Sequence, residues 1–111
     1  MQTVEFEGTV PVKVNGKPVK ASFKNAWRKA EKTSYWRVVT KPCLGRNLTC
    51  GYTAELTPLE ATIYTWVMGW YARFSKYGWN REVLGAPVQA FDNMRYFFRS
   101  LNEEAYMDLL D

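Results

Sequence analysis

The stretch Thr57 to Gly78, TPLEATIYTWVMGWYARFSKYG, carries signals for both of its own ends and most of the bulky apolar side chains nearby. Thr57 and Glu60 have the spacing of a capping box, in which each side chain takes a bond from the other's amide. Pro58 falls at the first helical position, where its missing donor costs nothing. Gly78 can adopt the left-handed conformation that stops a helix, and Arg73 and Lys76 sit where the dipole favours cations. Between these ends Leu59, Ile63, Trp66, Val67, Trp70, Tyr71, Phe74 and Tyr77 recur at three- and four-residue spacing, which predicts one broad buried face. The opposite side, Thr62, Thr65, Gly69 and Ala72, is small. Another helix or a partner chain could approach it closely, and packing by the later helices of the same chain is expected.

Ordering the backbone of roughly twenty residues costs about 20 to 40 kcal/mol. Burying eight such side chains returns roughly 12 to 24 kcal/mol, so the helix needs a surface to lie on, and a sheet is expected to supply it. A membrane does not fit, because the uncharged run between Glu60 and Arg73 is well short of the roughly twenty residues a bilayer requires.

Working outward, the 111 residues, nearly half of them apolar, suffice for a single domain with one core. The domain divides into a β-rich basic half, 1–56, and a helical acidic half, 57–111. Residues 1 to 50 hold ten basic against three acidic residues, a net +7, and the remainder holds five against eight, a net −3. An anionic partner should therefore prefer the first half.

Thr3 to Val14 alternates without a break, with Val4, Phe6, Gly8, Val10, Val12 and Val14 on one side, and it predicts a strand with a bend or bulge at Gly8. Asn15-Gly16 predicts a type I′ turn that sets Val14 opposite Lys17 and Val12 opposite Val19, then Val10 opposite Ala21 and Gly8 opposite Phe23. Pro18, which lacks an amide donor, falls opposite Lys13 and argues for an outer position there. Phe23 and Trp27 keep the phase of this second strand. Tyr35 to Lys41 is expected as a third strand with Trp36 and Val38 inward, and Gly51 to Leu56 as a fourth, pairing Val38 with Leu56 and Thr40 with Ala54.

Beyond the main helix, Trp79 is expected to pack back on Phe74. Pro87 opens a second helix to about Ser100, burying Val88, Phe91, Met94, Phe98 and Leu101. Asn102 caps a third, Glu103 to Leu110, with Tyr106, Leu109 and Leu110 inward. The predicted fold is therefore α+β. A curved antiparallel sheet of four or five strands, open or partly closed into a small barrel, is covered on one face by the long helix and two shorter ones.

The chemistry is bounded largely by what is missing. The chain has no histidine, which removes the commonest general base, pH switch and metal ligand. It has no G-x-S-x-G elbow, phosphate-binding loop or dinucleotide fingerprint. Cys43 and Cys50 flank LGRNLT; the expected strand register puts them on opposite faces, and a slip of one residue would set them across from each other. Two reduced cysteines suit an intracellular chain, and MQTVEFEG lacks the regions of a signal peptide, so a cytoplasmic location is expected. Glu5 and Glu7 share a strand face at a spacing that glycosidase carboxylates also use, but a solvated strand face accounts for them. No catalytic residue, metal or cofactor is assigned.

What remains is the outward face of the predicted sheet, to which Lys13, Lys20, Lys24, Arg28, Arg37 and Lys41 would project with Tyr35 among them. Cations interleaved with an aromatic on a sheet suit single-stranded nucleic acid. A half-buried sheet also needs a polar face, and lysines there discourage edge pairing. The function expected is non-catalytic binding of an anionic partner, nucleic acid or an acidic protein. The alternative is a protein-binding adaptor or inhibitor, which could be a homodimer; it is motivated by the five tryptophans. An enzyme ranks last.

Overall fold

The computed structural model describes residues 2–33, 35–47, 51–77 and 87–110, and over these the chain is α+β, with two small antiparallel sheets and four helices. The first sheet comprises β1 (Val4–Glu7), β2 (Val10–Val14) and β3 (Lys17–Pro18) in that spatial order. Gly8 ends a strand rather than bending one: at φ 65° it forms with Thr9 a two-residue turn, and Glu7 faces Val10. The long alternating stretch is thus itself a hairpin. Its pairing runs Glu5 to Lys13 and then Phe6 to Pro11, leaving Val12 as the extra residue of a bulge. Val10 and Pro11, neighbours in sequence, are both buried.

At the second turn Asn15 and Gly16 take φ of 52° and 80°, as a type I′ turn demands. Val14 faces Lys17, Lys13 faces Pro18, and the Val19 amide donates to the Val12 carbonyl at 2.9 Å. Pro18 lies on the outer strand, as its missing donor requires.

The expected second strand stops there. Ala21–Glu31 is helix α1, so the pairings of Val10 with Ala21 and Gly8 with Phe23 do not form. Phe23 and Trp27 are four apart, a spacing that satisfies a strand's period of two and a helix's one-turn repeat alike. Ala26 and Ala30, buried beside them, break the tie. The segment ASFKNAWRKAE contains no β-branched residue and is rich in strong helix formers. Arg28 and Lys29 sit in its last turn, where the dipole favours them.

Residues 35–42 join no sheet. The second sheet pairs β4 (Cys43–Arg46) with β5 (Thr53–Leu56), and Leu56 faces Cys43 and Ala54 faces Gly45, not Val38 and Thr40. Val38 is exposed and Val39 is the residue packed against the core. In place of a sheet of four or five strands, or a partly closed barrel, five short strands form two separate ribbons. Cys43 is exposed and unbonded. Cys50, Gly78 and Trp79 fall outside the described residues.

Pro58–Tyr77 is helix α2, Val88–Leu101 is α3 and Glu103–Leu109 is α4. The capping box forms: the Thr57 amide donates to Glu60 Oε1 at 3.1 Å and the Glu60 amide to Thr57 Oγ1 at 3.3 Å. Asn102 Oδ1 accepts from the Ala105 amide at 3.0 Å and so caps α4. Six of the eight expected apolar positions on α2 are buried, with Trp66 at 0% exposure, while Tyr71 and Tyr77 are exposed.

What covers α2 is chiefly a helix. α3 lies between α1 and α2, presenting Phe97 to one and Phe91 and Phe98 to the other. Phe97 stacks on Phe23 with ring centroids 5.1 Å apart, and Phe91 meets Phe74 edge-on at 5.3 Å. The first sheet packs on α1 and the second lies beside α2 and α4. One contiguous cluster of buried residues runs from Val10 to Leu109.

Candidate functional site

The cations proposed to share a sheet face fall into three groups. Lys13 is on β2 with Glu5 directly opposite, so its charge has a carboxylate beside it. Lys20 precedes α1, and Lys24 and Arg28 follow at intervals of four on one flank of that helix. The aromatic residue Tyr35, with Arg37 and Lys41, belongs to the 35–42 segment, which is neither helix nor strand. The helix therefore brings Lys20, Lys24 and Arg28 together and leaves the other four elsewhere.

The helical row has its own logic. An interval of four residues is about 6 Å of rise and a rotation of only about 40°, so the three heads line one flank. Lys32 continues the series just past the helix, a position that a strand assignment assigns to a turn. Lys20 and Arg28 are exposed and Lys24 is half-buried. The Lys20 ammonium lies 5.6 Å from the Phe23 ring, and Arg28 Nη1 donates to Asn25 Oδ1 at 3.1 Å. Glu31, one turn on, accepts from Thr9 and from the Trp27 indole. Among the described residues, the ion pairs are Arg95 with Asp92 and Arg99 with Glu103, both in the second half, and none of the ten cations of the first half is paired.

Tyr35 is occupied elsewhere. Held at φ 72°, uncommon for a tyrosine, its ring stands edge-on to Trp70 at 5.6 Å and its hydroxyl accepts from Arg73 Nη1 at 2.6 Å. The reason lies at Gly69: a Cβ there would stand 3.0 Å from Tyr35 Cβ. Further along, the Val39 amide donates to Thr62 Oγ1 at 3.0 Å. Thr62 and Gly69 on the small side of α2 are thus met by the chain's own 35–42 segment rather than by the later helices, while Thr65 and Ala72 are exposed. Mid-helix glycine costs about 1 kcal/mol, and Gly69 was the available sign that something approaches closely there.

Glu60, 3% exposed, is the buried carboxylate of the described residues. Besides its capping role it accepts from Gln2 Nε2 at 3.1 Å and Asn102 Nδ2 at 3.3 Å. It thus accepts three hydrogen bonds, from one amide and two carboxamides, and ties the start of α2 to Gln2 and Asn102. No group of three or more candidate metal ligands occurs among the described residues, and none of their helices is long and apolar enough to cross a membrane.

One groove of about 580 Å³ stands apart from the basic row. It is lined by Val4 and Phe6 of β1, by Pro42, by Glu55 and Leu56 of β5, and by Pro58 and Leu59. No protein-family model matches the chain, and neither does any curated protein or solved structure.

Proposed function

We propose that the chain is a small non-catalytic binding module that takes a polyanion, single-stranded nucleic acid, along the basic row of α1. The observation that carries this is the set of Lys20, Lys24 and Arg28, aligned on one flank and free of ion pairs among the described residues. An unneutralised row of cations lowers the free energy of a phosphate backbone by releasing its counterions. No aromatic platform accompanies the row, because Tyr35 is engaged with Trp70 and Arg73. Recognition is therefore of charge, with little preference for base.

Titration of a labelled single-stranded oligonucleotide at low and at moderate salt tests it. Binding should weaken steeply with salt and vanish in a Lys20→Glu, Lys24→Glu, Arg28→Glu triple variant. Absence of binding at low salt would remove the proposal.

A second reading, a protein-binding adaptor, is favoured by the exposure of Phe6, Val38, Leu44 and Tyr52. Scattered apolar residues are ordinary on a surface, so this reading ranks below the first unless they help to form a defined site.

A further inference from the structure

The groove beside β1 supplies such a site. β1 is an edge strand, and among the described residues no backbone hydrogen bond joins its outer side to anything. The same holds for the outer side of β5. Just outside the two strands Gln2 binds both Thr57 and Glu60, and Val4 and Phe6 of one strand and Leu56 of the other line the same groove. Edge strands are normally short, charged or covered, since a bare apolar edge recruits another strand. β1 is short and carries Glu5 and Glu7, but it also leaves Phe6 54% exposed on the edge, beside the apolar lining of the groove.

We propose that this groove binds an extended peptide of a partner protein, in which apolar residues alternate with lysine or arginine, added as a fourth strand against β1. The alternation follows from the pleat. Side chains on the Val4 and Phe6 side enter the groove. Those between them lie on the Glu5 and Glu7 side, and Glu55, exposed at the groove, is the carboxylate beside it. Lys13 sits opposite Glu5, but Glu7 faces Val10, and none of Glu5, Glu7 and Glu55 forms an ion pair among the described residues. The charge also argues against a second copy of this chain using β1 itself, since two such edges would bring Glu5 and Glu7 of both copies together. The other edge of the same sheet, β3, is two residues long and contains Pro18, so it makes a poor donor strand.

The test is a titration of the intact protein with an acetylated seven-residue peptide alternating lysine and valine. A permuted peptide, with lysines in one half and valines in the other, is the control. The alternating peptide should bind at least tenfold more tightly, and slowed amide exchange in the wild-type protein should be confined to Val4 to Glu7. Phe6→Lys, at an exposed position, should weaken binding tenfold or more, and a Glu7→Lys, Glu55→Lys pair should weaken it while leaving the oligonucleotide titration unimpaired. Equal binding of the two peptides, or protection elsewhere than β1, would overturn the proposal. So would self-association that the peptide reverses, which would make a second copy the occupant.

Discussion

Glu60 and Asn102, 42 positions apart in sequence, each cap a helix and are joined by a hydrogen bond of 3.3 Å between Asn102 Nδ2 and Glu60 Oε1. The starts of α2 and α4 are therefore fixed to one another. Glu60→Ala strips partners from Thr57, Gln2 and Asn102 at once and should cost about 2 to 4 kcal/mol, whereas Thr57→Ala, which loses a cap, should cost about 1 kcal/mol. Urea denaturation of the two variants checks the ordering.

Along α2, exposure divides aromatic residues that the sequence pattern groups together. Trp66 is fully buried and its indole donates to Thr33 Oγ1 at 2.7 Å, while Tyr77 is 59% exposed. Trp66→Ala should cost about 3 to 5 kcal/mol. Tyr77→Ala, which loses little more than exposed cation contacts with Arg73 and Lys76, should cost under about 1 kcal/mol. Thermal melts of both variants measure the contrast.

Tyr64 donates its hydroxyl to the Arg46 carbonyl at 3.0 Å. Burial, with a smaller contribution from Cys43, holds its phenol above the ordinary value of about 10. The folded state thus favours the neutral phenol. That contribution is complete below pH 10, where both states are protonated, and is lost as pH rises through the folded-state value. The stability difference between wild type and Tyr64→Phe should therefore hold up to about pH 10 and shrink as pH rises above it, as read by denaturant titrations on either side of that value.

If α1 contacts phosphates, its charges appear in the salt dependence. Each neutralised phosphate of a single strand contributes about 0.7 to the slope of log affinity against log salt. A Lys20→Gln, Lys24→Gln, Arg28→Gln variant, if it retains weak binding, should show a slope lower by about 2. An unchanged slope would place the contact on other cations.

Local chemistry was legible wherever a residue's role depends on its immediate neighbours. The Thr57–Glu60 box, the Asn15-Gly16 turn with its register and the Asn102 cap all formed because side chain and backbone a few positions apart determine them. The α+β class followed from the same signals. What failed was choice between periods. Phe23 and Trp27 suit strand and helix equally, and Gly8 suits a bend or a turn, so the pattern reads as two long strands where the chain forms a hairpin followed by a helix. Tyr35 to Lys41 has the composition of a strand but no ladder to join; its partners are Thr62 and Gly69 on α2, which only the tertiary fold brings near. The candidate site inherited the error: with α1 a helix, three of the seven residues remained aligned and four did not.

The position of α3 has a bearing on how the chain comes off the ribosome. Phe23 and Trp27 on one helix and Trp66 and Phe74 on another meet their principal cover only in Val88–Leu101. Most of the polypeptide must be synthesised before either greasy surface is sheltered. Hairpins can close early, since their contacts are local, but the core is completed late, and nascent chains halted before residue 88 lack the cover that α3 provides.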